Sequence, residues 1–575
     1  MTPQLYRLRL DMNFTSRHCP LALSAVTLAL CAMGTTAWAQ TAPTPNAGQV
    51  LRDLQQAPVI TSPQATQLPR SETAPDAGLK DDVKALVKSV TINGNQELPA
   101  IELQPFVAYL VGKEQSLTDL NAAARRITAY YRSRGYAVAR AYLPAQDITS
   151  GAVTISVIEG RVSSHSVKNQ SRLSDERANG YFSEIKDGDV IKSEQIDRSL
   201  LLVQDTPGVG SSRATLQPGA SVGTSELLIE VNPANAYSGN VALDNYGSRY
   251  TGEYRLSGNF NLASPLKIGD QLSFTALTSG ANLNFGRLAY QAPVGANGLR
   301  VGAAYFDTRY KLGKEFDALN AHGTARSASV FAAYPFIRSQ LKNLNGTASF
   351  EEKRLNDYVD ATSTATGKRV SVTSLGLAGN LQDALGGGGI NSFELSAALG
   401  KLRIESPSAL AIDAASVQSN GSYIRMSYGL NRLQSVTDAV QVWVALTGQQ
   451  ASKNLDSSEK FALGGVNGVR AYPQSEATGD EGYKATVELR RTLAPNLQGA
   501  LFYDFGSVKI NKTTYGPAAA NDRNLAGVGF GLNASLATVQ LRASLAWRTT
   551  GGMPTSVPAS AARRPTLWVQ AAIAF

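Results

Sequence analysis

The sequence predicts a transmembrane antiparallel β-barrel of about 16 strands, preceded by two small α/β modules and a short N-terminal helix. Three observations carry this reading. The chain opens with a secretory leader, it changes near Asn235 from helical periodicity to two-residue alternation, and it closes on an alternating strand, Leu567 to Ala574, with the aromatic Phe575 as last residue.

The leader has Arg7, Arg9 and Arg17 ahead of an apolar run from Leu21 to about Met33, then Ala37-Trp38-Ala39 as a small-x-small cleavage site, so residues 1–39 are expected to be removed. The run is short for a retained membrane helix. Both cysteines, Cys19 and Cys31, fall inside the leader, which excludes a disulfide, a thiol nucleophile or a cysteine metal site from the mature chain. Cleavage takes away three Arg and one Asp, reducing the net charge from +9 to +7, spread along the chain as on a solvated surface and a polar lumen.

Residues 40–82 hold a helical candidate, Ala47 to Gln56, with Val50, Leu51 and Leu54 on one side, and a linker with Pro58, Pro63, Pro69 and Pro75. A tethered amphipathic helix can plug a pore or be a frayed terminus, and the residues leave both open. Residues 83–160 and 161–233 each read as β-α-α-β-β. In the first, a strand at Val87 to Asn93 precedes a helical stretch, Ala100 to Val111. A second helix follows, opened by a Ser116/Asp119 capping box, carrying Leu117, Leu120, Ala124, Ile127 and Tyr131 at helical spacing and ended by Gly135. Strands at Ala137 to Leu143 and Ala152 to Ile158 complete it. The second module repeats the order with strands near Val162 to Lys168, Ser212 to Gln217 and Glu226 to Val231, and helices around Asp175 to Ile185 and Ser193 to Gln204.

Residues 234–575 alternate throughout. Val539, Leu541, Ala543, Leu545 and Trp547 face one way and Gln540, Arg542 and Ser544 the other; Val440, Val442, Val444 and Leu446 behave alike. A soluble sandwich gives the same pattern. The leader, the terminal aromatic and the length favour a barrel, because a sheet in lipid must close to pair its backbone groups.

An enzyme reading has one candidate, Gly219-Ala220-Ser221-Val222-Gly223, which fits a nucleophile elbow. That motif needs a buried strand before it and a helix after it, whereas Pro218 precedes it and a strand follows. Mature histidines are His165 and His322 only, one per region, so neither a catalytic triad nor a zinc site is supported. The expectation is a protein that is not an enzyme, with no cofactor, no metal and no nucleic-acid partner.

Several ordered segments together resemble the outer-membrane transporters of two-partner secretion, the haemolysin and filamentous-haemagglutinin exporter family, within the superfamily of translocating barrels that carry periplasmic POTRA domains. They are Asp244 to Gly252, Gly269-Asp270-Gln271-Leu272, Tyr290 to Gly295, Tyr310-Lys311-Leu312-Gly313 and Tyr334 to Ser339, after a tandem α/β pair. The most specific is the long connection from Ser452 to Tyr483, with Gly464, Gly465, Val469, Arg470, Ala471 and Tyr472, then Gly479 and Asp480. It resembles the superfamily's inward-folding loop, whose Val-Arg-Gly-Tyr tip lies in the barrel. Ala471 stands where that pattern has Gly; if the tip requires a positive φ there, Ala costs about 1 kcal/mol. Phe502, Asp504 and Gly506 resemble the barrel-wall motif, and alternation points Asp504 into the lumen, so Arg470 is expected to meet it. The plainer alternative makes them unrelated lumen and loop charges.

The resemblance implies an outer-membrane pore of a Gram-negative bacterium that exports one large, unfolded exoprotein, of haemolysin, adhesin or contact-dependent toxin type. Its POTRA domains would recognise the client by strand addition, with Ala137, Val138, Arg140, Tyr142, Arg213 and Thr215 on the candidate edges. Phe575 would serve as the assembly signal read by the barrel-assembly machinery, and lipid and lipopolysaccharide would surround the wall. The alternative function is a barrel-assembly insertase. A passive diffusion porin has no use for the modules or the inward loop.

Overall fold

Two-residue alternation from Tyr237 onward builds sixteen antiparallel strands that close on themselves. The computed structural model describes residues 44–54, 84–516 and 520–575; the leader and the prolines of the linker lie outside the described residues. A helix, α1 (Ala47–Leu54), comes first. The first module contains β1 (Lys84–Val87), β2 (Ser89–Asn93), α2 (Ala100–Leu103), β3 (Lys113–Ser116), α3 (Leu117–Ser133), β4 (Arg140–Tyr142) and β5 (Ala152–Ile158). The second contains β6 (Arg161–Asn169), α4 (Asp175–Gly180), α5 (Ser193–Gln204), β7 (Val209–Pro218) and β8 (Thr224–Pro233). Each module has a three-stranded sheet, β2-β5-β4 and β6-β8-β7, in which the first pair is parallel and the second antiparallel.

Helix α3 begins with the reciprocal cap: Ser116 Oγ accepts from Asp119 N, and Asp119 accepts from Ser116 N. Its Leu120, Ala124, Ile127 and Tyr131 are buried in the module core. Three details differ from the expected pattern. The stretch after Ala100 is a single helical turn followed by 3-10 turns, because Pro105 interrupts it. A strand, β3, is added that pairs with β1. Ala137 and Val138 lie in a turn rather than a strand, with Ala139 N donating to Tyr136 O; Tyr136 and Ala139 are both buried, which breaks the alternation that a strand needs.

The barrel runs β9 (Tyr237–Asp244), β10 (Arg255–Ala263), β11 (Gln271–Thr278), β12 (Leu283–Pro293), β13 (Arg300–Lys311), β14 (Ala321–Arg338), β15 (Lys342–Val359), β16 (Thr364–Asp383), β17 (Gly389–Ile404), β18 (Gly421–Ser435) and β19 (Val440–Ala451). A long connection carries the short strands β20 (Phe461–Ala462) and β21 (Thr478–Gly479). Then come β22 (Glu481–Ala494), β23 (Leu497–Lys509), β24 (Asp522–Leu536), β25 (Val539–Thr550) and β26 (Thr566–Ala574). The shortest turns, as at Pro495-Asn496, are on the rim nearest the modules, and the longest connections are on the opposite rim, one of them holding a helix at Pro407–Ala414.

The apolar face is outside. Leu288, Val330, Leu375, Leu399, Leu501 and Phe530 are each about half exposed or more, the arrangement of a wall facing lipid and the reverse of a sandwich. No helix among the described residues is long and apolar enough to cross a membrane. Closure is made by β26 on β9, extended one step by Phe575, whose N–H and C=O bond Gly239 O and N at 3.0 and 2.9 Å. The Phe575 ring lies over Gly239, where a Cβ would sit 2.6 Å from it.

The second module sits against the barrel's near rim. Arg338 holds Asp205 through two bonds of 2.6 and 2.8 Å, Arg198 donates to Pro335 O at 2.9 Å, and Ser174 N donates to Lys267 O at 2.9 Å. The modules are joined by Lys192 to Glu97 at 3.0 Å and by Ser193 N to Gly135 O at 2.9 Å. The hydrogen bond from Lys192 holds the Glu97 carboxyl below its usual range and raises the Lys192 ammonium.

Candidate functional site

The connection between β19 and β22 folds into the lumen. Its stem is the β20/β21 pair, continued by Leu463 N to Ala477 O and Gly464 N to Glu476 O. Gly465 turns with φ +116°, a conformation that side-chain-bearing residues rarely take, and a Cβ on Gly468 would lie 1.9 Å from Leu463 O. These glycines let the tip fold back so that Val469 to Tyr472 press on the wall.

Arg470 is the centre of the contact. Its Nε and Nη2 donate to the two oxygens of Asp504 at 2.9 Å each, its Nη1 to Glu488 at 3.1 Å, and its backbone N to Asp504 at 3.1 Å. The guanidinium carbon stands 3.3 Å from the Phe502 ring centroid. Asp504 on β23 also accepts from Thr486, and Glu488 on β22 from Arg490, in a site where Asp504 is 1 % exposed. Burial disfavours the Arg470 charge, but the hydrogen bond and field of Asp504 outweigh it and raise its pKa. The paired arrangement of Arg470 and Asp504 is therefore the one observed. Gly506, two residues on, faces the same lumen and passes so near the loop that a Cβ there would meet Leu463 at 2.8 Å.

The strain expected at Ala471 is absent. Ala471 does not have a positive φ; in this loop Gly465, Ser475 and Ala477 do. Room for its methyl comes from the wall, where Gly527 would carry a Cβ 2.5 Å from that of Ala471. The tip is held on its other flank by Trp568 Nε1 to Arg470 O, Thr566 Oγ1 to Ala471 O and Tyr472 OH to Thr550 O, at 2.8, 2.9 and 2.7 Å. Gly479 belongs to β21. Buried Asp480 accepts from Leu455 N, Lys512 N and Lys460.

Three further loop carboxylates were not singled out from the sequence. Glu476 accepts from Thr555 N, Thr555 Oγ1 and Ser556 N, fastening the β25–β26 connection. Glu459 meets Lys353 at 2.8 Å and Arg425 at 3.2 Å, and Asp456 meets Lys368 at 2.8 Å. Burial opposes ionisation of Asp456, but Lys368 overcomes it and holds the carboxyl down at about 2. The available signal was lysine at lumen-facing strand positions opposite an acidic loop.

Helix α1 also lies in the lumen. Val50 and Leu51 are buried against Leu283, Phe306, Tyr310 and Leu355 of the wall, with Leu54 packed beside them. Ala47 N donates to Asp357 at 2.7 Å, and Arg52 reaches Ser457 O and Ser475 Oγ at 3.0 and 2.9 Å. Gly48 abuts the loop so closely that a Cβ would meet Ser457 Oγ at 2.4 Å. Asp53 hydrogen-bonds Ser475, and burial raises its carboxyl pKa.

The two candidate edges differ. On β4, the N–H and C=O of Ala141 are both engaged by Thr128 Oγ1 of α3. Arg140 and Tyr142 therefore flank an edge already capped, and Val138 packs against the second module's core. On β7, paired only with β8, Arg213 and Thr215 are exposed. The segment Gly219 to Gly223 is the β7–β8 hairpin turn, closed by Gly219 N to Thr224 O at 3.0 Å, and not a strand-to-helix elbow. No cluster of three metal-binding side chains occurs among the described residues.

The family model described as haemolysin secretion/activation protein ShlB/FhaC/HecB matches residues 223–534, and the ShlB-type POTRA model matches residues 85–160. The heme/hemopexin transporter protein HuxB of Haemophilus influenzae is 30% identical over 511 residues, covering 85% of this chain and 89% of that one. The hemolysin transporter protein ShlB of Serratia marcescens is 23% identical, covering 86% of each. The structure of CdiB from Escherichia coli superposes with a TM-score of 0.68 at 18% identity, over 92% of this chain and 96% of that one. A sixteen-strand wall, a lumen-bound loop and these matches agree, and the chain belongs to the ShlB/FhaC/HecB family of outer-membrane two-partner secretion transporters, with POTRA domains in the periplasm.

Proposed function

We propose that this transporter captures one large exoprotein at the open edge of β7 and passes it unfolded through the lumen once the inward loop and α1 have shifted. The observation that carries the reading is the double occupation of the lumen. Both occupants combine apolar packing on the wall with side-chain polar contacts that can exchange, and have little backbone pairing to the wall. Arg213 and Thr215 flank the strand to which the client would add, and main-chain pairing there supplies affinity while alternate side chains supply selectivity. Clients of haemolysin, adhesin or contact-dependent toxin type fit this pore, and the identity with a heme/hemopexin transporter adds an exoprotein of haem acquisition. The barrel-assembly machinery would read the terminal strand and Phe575, and lipid and lipopolysaccharide would contact the apolar wall. The reading has no catalytic step.

The test compares the secreted and outer-membrane proteins of the native organism with and without this gene. Loss of one large exoprotein from the medium is expected. Broad depletion of other barrels would instead mark an assembly factor.

A further inference from the structure

Arginines on the outward face of the barrel form a line that neither the export reading nor the lumen accounts for. Strand register sets Asp307 on β13 opposite Arg326 on β14, Arg326 opposite Arg354 on β15, Arg354 opposite Arg369 on β16, and Arg369 opposite Arg403 on β17. These positions alternate with buried lumen residues such as Ala325, Leu355, Val370 and Leu402, so all five side chains point outward. Arg326 and Arg354 are 50 % and 62 % exposed.

Like charges directly opposite one another destabilise a sheet, and the local acids offset them only partly. Asp307 pairs with Arg326, Glu352 with Arg354 and Arg369, and Glu405 with Arg369. Within two positions of the line, Arg309, Lys401 and Arg403 bring the cations to six against those three carboxylates, and Arg403 has no acidic partner among the described residues. The line is bounded. Beyond Asp307 the same register row continues as Gly286, Ala276 and Gly258, and beyond β17 the outward positions at this rim are Ser422 and Ile424.

Height decides what the line faces. Phe336 on β14 and Phe393 on β17 are outward residues ten positions toward the module rim from Arg326 and Arg403. At about 3.4 Å per residue and a tilt near 40°, ten residues climb about 25 Å, the height of an outer-membrane barrel's apolar band. Between them the outward positions include Val330, Ala328, Leu395 and Leu399. The arginines therefore emerge where the headgroups of the outer leaflet begin, on the side away from the periplasmic modules.

We propose that the β14–β17 arginine line is a binding site for the phosphorylated glycolipid of the outer leaflet, its acyl chains against the apolar strip below and its sugar phosphates on Arg326, Arg354, Arg369 and Arg403. Guanidinium forks match phosphate geometry bidentately. Four of them in register span about 14 Å, wide enough for two phosphates carried on one disaccharide. Phosphate bound there relieves the mutual repulsion of the arginines, so protein and lipid both gain. The inference rests on outer-membrane placement and not on the export reading.

The test uses the full chain purified in detergent, with native mass spectrometry against rough-type lipopolysaccharide, the same glycolipid after phosphatase treatment, and phosphatidylglycerol. The expected result is binding of the phosphorylated glycolipid at least about tenfold tighter than of the other two. Replacing all four arginines by glutamine should abolish that margin, while four lysines keep most of it and secretion continues in both. Equal binding of the dephosphorylated glycolipid, equal binding of phosphatidylglycerol, or a glutamine variant that binds like the parent would each overturn the proposal. If the glutamine variant fails to fold, the three-lipid comparison on the parent decides alone. Loss of secretion without loss of this binding would count against the export reading only.

Discussion

Arg470 joins two buried carboxylates, so its removal does more than delete a contact: it leaves Asp504 without its bidentate partner away from water and Glu488 with Arg490 alone. Arg470→Ala is expected to weaken loop docking by about 3–5 kcal/mol, read as faster protease cleavage within residues 455–480. Arg470→Asp should abolish secretion, and combining it with Asp504→Arg should restore part of it; no recovery would separate the two residues functionally. Gly527→Val should act like a tip mutation although it lies in the wall, because it takes the space of the Ala471 methyl. Acid acts on the two lumen elements in opposite directions. The Asp456 carboxyl is depressed, so its contribution to loop docking is complete above the usual 3.8 and disappears as pH falls toward 2. The Asp53 carboxyl is raised, so its contribution to holding α1 is complete below 3.8 and disappears as pH rises through its shifted value. Hydrogen exchange corrected for intrinsic rate should show residues 455–480 loosening as pH falls from 4 to 2, and Ala47–Leu54 loosening instead as pH is raised from 4; a loop that holds in acid or a helix that tightens as pH rises would contradict the respective assignment.

Among the elements, the open β7 edge and the capped β4 edge make contrasting predictions. Ala214→Pro removes a backbone donor that faces away from β8 and should sharply reduce client binding in pull-down, whereas a change at Arg140 should have little effect. Gly48→Val forces α1 off the loop by collision with Ser457 and is expected to raise single-channel conductance; an unchanged channel would mean that α1 does not limit flow. The barrel strands and α3 were legible in the sequence because their periods are strict and the capping box of Ser116 and Asp119 is local. The Arg470–Asp504 contact was legible through motif resemblance joined to alternation on β23. Less was visible where a distant partner decides the outcome. Alternation across Ala137 to Leu143 looked like one strand, but burial of Tyr136 and Ala139, three residues apart in the same core, bends its first part into a turn. Thr128 closes the β4 edge from the border of the apolar face of α3, a contact that only the folded module brings together. The Ala471 substitution looked strained because its compensation, Gly527, lies on another strand.

For the molecule as a whole, deleting residues 85–232 should leave a conducting barrel that exports nothing; export that persists would remove the modules from recognition. The join at Arg338 and Asp205 fixes the second module on the rim, so Asp205→Ala should loosen module orientation, detectable by spin-label distances, without opening the barrel. The loop tip is bonded at once to β22, β23 and β26, the last strand to be made. Trp568 and Thr566 reach the tip only after that final strand has joined β9, so the tip can seat fully only in a finished wall. The last strand thereby clamps the loop, and a chain truncated before Thr566 is expected to present residues 455–480 to proteases even where the remaining strands have paired.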